Sequence, residues 1–219
     1  QWLPDAGGAL VEDAKTLAET VDTVVVALAS EEAVEDAYLG PYGLVAGGRN
    51  GLVAADMGTF AVAQKEEVKT ALDPTGAVLL DTPISGTPEA METGRAVIMM
   101  SGNEAACGQV RPVLEVLAGK CPYVGAFGTG MKLKFVLNSL VAGHAMITAE
   151  ALLMGTRSGL DPQQIIDVVT TSVATSTQFE LRAPVMAARN WEPGAPARLV
   201  HKDLHYIVDH AERLGVPVP

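Results

Sequence analysis

The sequence predicts an α/β domain built on a doubly wound parallel sheet, followed by an all-helical domain, with one long helix joining the two. Three observations carry this prediction. Up to residue 127, short apolar runs of strand length alternate with helix-length segments, the pattern of strands and crossover helices. The valine-rich run 24–29 is apolar without alternation, as in a strand covered on both faces. Beyond Gly130 the spacing is helical to the end, and no proline interrupts the apolar stretch 133–154. The expected division is therefore 1–127 and 128–219.

Taken in order, residues 12–20 have helical spacing and lead into the strand 24–29. Ser30 is placed to cap a helix over 31–39, and a Gly/Pro-rich loop follows over 40–51. A strand over 52–55 ends at Asp56, and 60–72 is the next helix. The strand 76–80 runs into Asp81-Thr82-Pro83-Ile84-Ser85-Gly86-Thr87, which brings a hydroxyl and backbone N–H groups to the carboxyl end of a sheet, where open α/β folds bind ligands. Residues 95–101 read as one further strand. Residues 104–117 read as a helix that Pro112 should kink or split. A strand over 122–126 ends at Gly128-Thr129-Gly130. The long helix is expected to start just after Gly130 and run to about Ser158, buried on nearly all sides because it is apolar nearly all round. Asp161-Pro162 marks a capped start for a helix over 162–173. Helices over 177–188, with a kink expected at Pro184, and over 197–214 complete the chain.

With 219 residues, 48% of them hydrophobic, the chain has enough material for one large core or two modest ones. A formal charge of -11 argues against nucleic acid or an anionic membrane surface as a partner. No run of about eighteen apolar residues lacks a polar interruption, and no basic segment followed by an apolar core opens the chain. The two cysteines, Cys107 and Cys121, have no metal-binding spacing and read as reduced thiols. His201 and His205 are four apart, but the glutamate of a His-Glu-x-x-His motif is missing, so no metal site is expected. These features together point to a cytoplasmic protein.

Lys134 and Asn138 stand one above the other on one face of the long helix, with Ala142 and Ala145 continuing it and leaving room for a small ligand. Lys132 points nearly the opposite way. An amine near a helix N-terminus in apolar surroundings is disfavoured in its charged form. Taken alone, the pair fits an ordinary first-turn lysine and a loop-bonding asparagine. Beside the Asp81–Thr87 loop it has a second meaning.

The two stretches together resemble the β-hydroxyacid dehydrogenase family, which includes 3-hydroxyisobutyrate dehydrogenases and tartronate semialdehyde reductases. Its Asp-x-Pro-x-Ser-Gly and Gly-x-Gly-x-x-x-Lys-x-x-x-Asn patterns occur here in the same order. Asp56-Met57-Gly58-Thr59, the run Gly94 to Met100, Glu150-Ala151-Leu152, Gly159-Leu160-Asp161 and Lys202-Asp203-Leu204 extend the match. The resemblance implies a Rossmann-like sheet and reversible hydride transfer between a 3-hydroxy acid and NAD or NADP. It assigns Lys134 as the catalytic acid/base, with Ser85, Gly86, Thr87 and Asn138 on the substrate. Leu28, Ala29, Thr59 and Lys202 fall to the cofactor. An ordinary lysine titrates near about 10.4, so the role asks for a value lower by roughly two to three.

The chain departs from the family pattern in several places. No strand, Gly-x-Gly-x-x-Gly and helix opens the sheet, so the residues that choose between NAD and NADP are absent. By resemblance the chain starts after the first two βα units, and a fragment is the first expectation, since strand 24–28 would otherwise offer a bare apolar edge. Ala29 stands for the usual proline and Thr87 for the second glycine of the loop. Each site residue also has an ordinary reading: Thr59 as a helix cap, Ser85 capping its own turn, Lys202 solvated beside Asp203. The rival functions are an imine reductase, which generally lacks the lysine, and a catalytically silent binding or oligomerisation module. The apolar long helix leads to the expectation of a homodimer or homotetramer.

Overall fold

The computed structural model describes residues 5–191 and 197–218. They form two compact units, Gln1–Lys134 and Phe135–Pro219.

In the first unit, Asp13 caps helix α1 (Ala14–Thr20), its carboxylate accepting the Thr16 N–H at 2.7 Å. Strand β1 (Thr23–Val26) follows, then helix α2 (Glu31–Leu39), capped by Ser30. Strand β2 (Val53–Asp56), helix α3 (Val62–Leu72) and strand β3 (Val78–Asp81) continue the alternation. β1, β2 and β3 pair in parallel, and their register sets Asp56 beside Asp81 at the carboxyl ends of neighbouring strands. Strand β2 is buried along its whole length, which is why it lacks polar alternation.

The segment read as one strand over 95–101 is two. Strand β5 (Val97–Ile98) pairs antiparallel with β4 (Ile84–Ser85) in a separate ribbon. Strand β6 (Met100–Ser101) lies antiparallel to β3 and parallel to β7 (Tyr123–Gly125). The main sheet therefore runs β1-β2-β3-β6-β7 and is mixed, not wholly parallel. The chain changes partner at Met99, whose N–H goes to Pro83 O at 3.1 Å, while the Met100 N–H goes to Pro122 O at 2.9 Å. Between β4 and β5 lies the short helix α4 (Pro88–Glu92).

Helix α5 (Glu104–Leu117) is continuous through Pro112, which does not split it in two. Its face Ala106, Cys107, Val110 and Leu114 is buried in one core with Ala55, Leu80 and Met100 of the main sheet and Ile98 of the ribbon. That packing outweighs the backbone hydrogen bond that proline deletes. Both thiols are buried and free, and burial pushes Cys107 up to about 11, which makes it a poor nucleophile.

Helix α6 (Thr129–Arg157) begins one residue before Gly130, not after it. Nor is it buried all round: Val136, Leu140, Met146, Ile147, Leu153 and Met154 are exposed. Its buried residues, Gly130, Met131, Lys134, Phe135, Thr148 and Leu152, occupy one side. By length and composition alone the helix suffices to cross a membrane, yet its first turn is bonded into the sheet of the first unit, as described below.

In the second unit, α7 (Pro162–Thr170) starts on the Asp161 carboxylate, which accepts the N–H groups of Gln163 and Gln164 at 2.9 and 3.2 Å. Helix α8 (Thr177–Ala187) is capped by Ser176 and runs through Pro184 without a break. Leu152, Ile166, Phe179 and Ala183 form a small core. Helix α9 (Ala197–Arg213) buries Tyr206, Ile207 and Ala211, and His210 on it meets the Phe135 ring at 5.2 Å.

Candidate active site

In the first unit the two sequence motifs meet at the start of α6. A Cβ placed on Gly130 would lie 2.8 Å from Met99 O, 2.9 Å from Pro83 Cδ and 3.0 Å from Asp81 Oδ2. The helix thus rests directly on the Asp81–Pro83 corner, and only glycine permits that approach. Asp81 Oδ2 accepts the Met131 N–H at 2.8 Å, and Ser101 Oγ accepts the Gly130 N–H at 3.0 Å. A carboxylate under the first N–H groups of a helix satisfies donors that have no partner within the helix, and it faces the positive end of the helix dipole. One turn beyond this anchor stands Lys134, 8% exposed. Lys132 is exposed, as its opposite direction on the helix requires.

The Asp81 side chain therefore belongs to the frame. Downstream in the same loop, Ser85 is half-buried and ends β4, while Gly86 and Thr87 are exposed. Gly86 has φ 151°, and a Cβ there would fall 2.7 Å from Ala96 Cβ. Thr87 caps α4, its hydroxyl accepting the Ala90 N–H at 3.3 Å. This leaves the backbone at Thr87, rather than its side chain, to meet a ligand.

Leu28 and Ala29 follow β1, and Thr59 follows β2, so all three lie at the carboxyl ends of adjacent parallel strands. Leu28 and Thr59 are half-buried and Ala29 is exposed. Thr59 is not the cap of α3, a position held by Ala61. This is the end of the sheet at which open α/β folds hold nucleotides.

In the second unit, Asn138 Nδ2 donates to Asp203 Oδ2 at 2.8 Å, and Lys202 Nζ lies 3.1 Å from Asp203 Oδ1. Lys202 Nζ also stands 5.0 Å from the centre of the Tyr206 ring. Asp203 thus ties together two residues singled out in the sequence 64 positions apart (202 − 138). With one Asn138 amide N–H given to Asp203, the second N–H and the carbonyl oxygen are left to meet other groups. Asp203 was legible only as a neighbour of Lys202; its aspartate-to-asparagine contact across the helices carries no local sequence signal. Lys65 was also missed, although a lysine on the buried stripe Lys65, Val68 and Leu72 is itself a signal.

Comparison with known proteins decides what these parts belong to. Residues 1–125 match the family described as the NAD binding domain of 6-phosphogluconate dehydrogenase. Residues 128–219 match the one described as NAD-binding of NADP-dependent 3-hydroxyisobutyrate dehydrogenase. The chain is 31% identical to the L-threonate dehydrogenase of Escherichia coli K12 over 219 residues, covering 99% of this chain and 72% of that one. The chain belongs to the β-hydroxyacid dehydrogenase family. Among solved structures, 3-hydroxyisobutyrate dehydrogenase of Mycobacterium tuberculosis, determined with L-serine, superposes with a TM-score of 0.86 at 28% identity, covering 98% of this chain and 76% of that one. An imine reductase of Myxococcus stipitatus, with NAD+, gives 0.72 at 18% identity, over 99% of this chain and 76% of that one; at that identity the likeness is one of fold alone. The enzyme is an NAD(P)-dependent dehydrogenase acting on a CH–OH group, and its cofactor is NAD or NADP.

Proposed function

We propose that the enzyme moves a hydride between the carbinol carbon of a small 3-hydroxy acid and NAD(P), with Lys134 as general acid and base. The observation that carries this reading is the buried Lys134 amine, held one turn beyond the Asp81 anchor. A buried amine at the positive end of a helix is poised to release its proton. NAD(P), when bound, would supply the hydride acceptor or donor for this exchange. Lys134 Nζ takes the hydroxyl proton as the carbonyl forms, and returns it in the reverse direction. Ser85 Oγ and the backbone N–H groups of Gly86 and Thr87 hold the substrate carboxylate. Asn138, with one amide N–H given to Asp203, has a second N–H to orient the substrate hydroxyl or carbonyl oxygen. Leu28, Ala29 and Thr59 would hold the cofactor, and the family pattern assigns Lys202 to it as well.

The names of the relatives support substrates such as L-threonate and 3-hydroxyisobutyrate. The test is oxidation of L-threonate, 3-hydroxyisobutyrate, glycerate and 3-hydroxypropionate with NAD and with NADP, comparing the parent with Lys134→Ala. Turnover lost in the variant, with circular dichroism unchanged, supports the reading. Turnover that survives removes Lys134 from the chemistry, and no turnover on any substrate favours the silent module. The presence of Lys134 speaks against an imine reductase.

Two further expectations arise here. Asp203→Ala should lower kcat/KM by up to about a hundredfold with little change in melting temperature, because it frees both the Asn138 amide and Lys202 from their shared anchor. Steady-state kinetics check this. The exposed apolar residues of α6 support a homodimer or homotetramer, and sedimentation of the full chain as a monomer would refute it.

A further inference from the structure

The first unit buries three charged side chains that the proposed chemistry does not use. Lys65 Nζ lies 2.9 Å from Asp81 Oδ1, 3.5 Å from Asp56 Oδ1 and 3.3 Å from Asp56 O. All three side chains are 2% exposed or less. Two carboxylates and one ammonium leave a surplus negative charge in the interior, where such a surplus needs a partner. The partner is the start of α6. Asp81 Oδ2, the oxygen that does not face Lys65, accepts the Met131 N–H and the Ser101 hydroxyl, the latter at 3.0 Å. Ser101 Oγ accepts the Gly130 N–H in turn. Asp56 Oδ1 accepts the Gly58 N–H at 2.8 Å, so the same lysine also braces the loop that carries Thr59.

We propose that Asp81, held by Lys65 and Ser101, is the positioning residue for Lys134. The two strand ends are fixed by sheet register, Lys65 fixes the rotamer of the Asp81 carboxylate, and that carboxylate fixes the height and rotation of the first turn of α6. Lys134 is three residues after Met131, on the turn so fixed. A shift of the helix start moves the amine away from a reacting hydroxyl while leaving the fold and the cofactor residues after β1 unchanged. The proposal rests on the acid/base reading of Lys134.

The test uses Ser101→Ala and Asp81→Asn in the full chain, each alone and each combined with Lys134→Ala, with L-threonate and 3-hydroxyisobutyrate as substrates and NAD and NADP as cofactors. Ser101→Ala is the gentler change and decides the matter if Asp81→Asn does not fold. Expected is a kcat lowered about tenfold, with a larger solvent deuterium isotope effect and an unaltered KM for the cofactor. Hydrogen exchange over residues 129–134 should quicken. In the Lys134→Ala background the same change should lower kcat by less than about twofold, because residues acting through one another are non-additive. An equal factor in both backgrounds, a loss in cofactor KM alone, or an unaltered kcat overturns the proposal. Wild-type kcat in Lys134→Ala alone defeats the acid/base reading, and the positioning role falls with it; an impaired Lys134→Ala leaves that reading standing while Ser101→Ala decides positioning by itself.

Discussion

Lys65→Met is expected to destabilise the first unit by about 3–5 kcal/mol, the range seen when one partner of a buried ion pair is removed. The reason is positional. Parallel register sets Asp56 and Asp81 side by side, about 4.8 Å apart across neighbouring strands, and both carboxylates are 2% exposed or less. Methionine fills the aliphatic space of the lysine but leaves two like charges without a cation. Tyr38 cannot replace it: a phenol is never cationic, and burial first, and then the charge of Asp56, hold it well above the ordinary range and so neutral. Urea unfolding followed by circular dichroism measures the effect. Adding Asp56→Asn to Lys65→Met should recover part of the loss, since it removes the like-charge pair, and a recovery of nothing would locate the penalty in packing instead.

Lys134→Ala is expected to lower kcat by about 10²- to 10⁴-fold, the usual contribution of a positioned acid/base group. The cofactor KM should change little, because the residues assigned to the cofactor follow β1 and β2 and lie on α9. Lys134→Arg separates two explanations. A guanidinium keeps a positive charge but does not give up its proton in proteins, so it supplies electrostatic stabilisation without acid/base exchange. Near-complete loss in both variants, read from initial rates across the substrate panel, supports proton transfer. Substantial activity in Lys134→Arg alone would assign the lysine an electrostatic role.

What was legible in the sequence was local. Ser30 before α2 and Asp161-Pro162 before α7 gave helix starts that the structure reproduces, because a cap is a bond between residues two or three apart. The alternation of strand and helix gave the layered α/β order for the same reason. Where a feature depends on distant parts, the reading failed. Residues 95–101 are uniformly strand-like, but the pairing partner changes at Met99, and propensity carries no information about partners. The α6 sequence looks buried on every side, while its actual exposure depends on how many helices cover it. Pro112 breaks a rule for isolated helices, yet the packed face of α5 overrides it.

The site divides along the same line. Lys134, Ser85 and Asn138 were found as motif positions, and the burial of Lys134 agrees with an amine facing inward. Asp81 stood in a loop that reads as ligand-binding, but its carboxylate bonds Met131, 50 positions away. Asp203 meets Asn138 across 65 positions. Such contacts are products of topology, and no spacing rule announces them.

The bond between Asp81 and Met131 also bears on where this protein can be divided. A cut at Gly128, the point where sheet-like sequence gives way to helix, would strip a buried carboxylate of its backbone donor and Ser101 of the Gly130 N–H. The two compact units part a turn later, after Lys134. Any transplant of the helical half onto another nucleotide-binding sheet must therefore carry its first turn as part of the host, matched to an acceptor at the end of the third strand. The two units part inside a helix, and the proposed proton-transfer lysine is the last residue on the sheet's side.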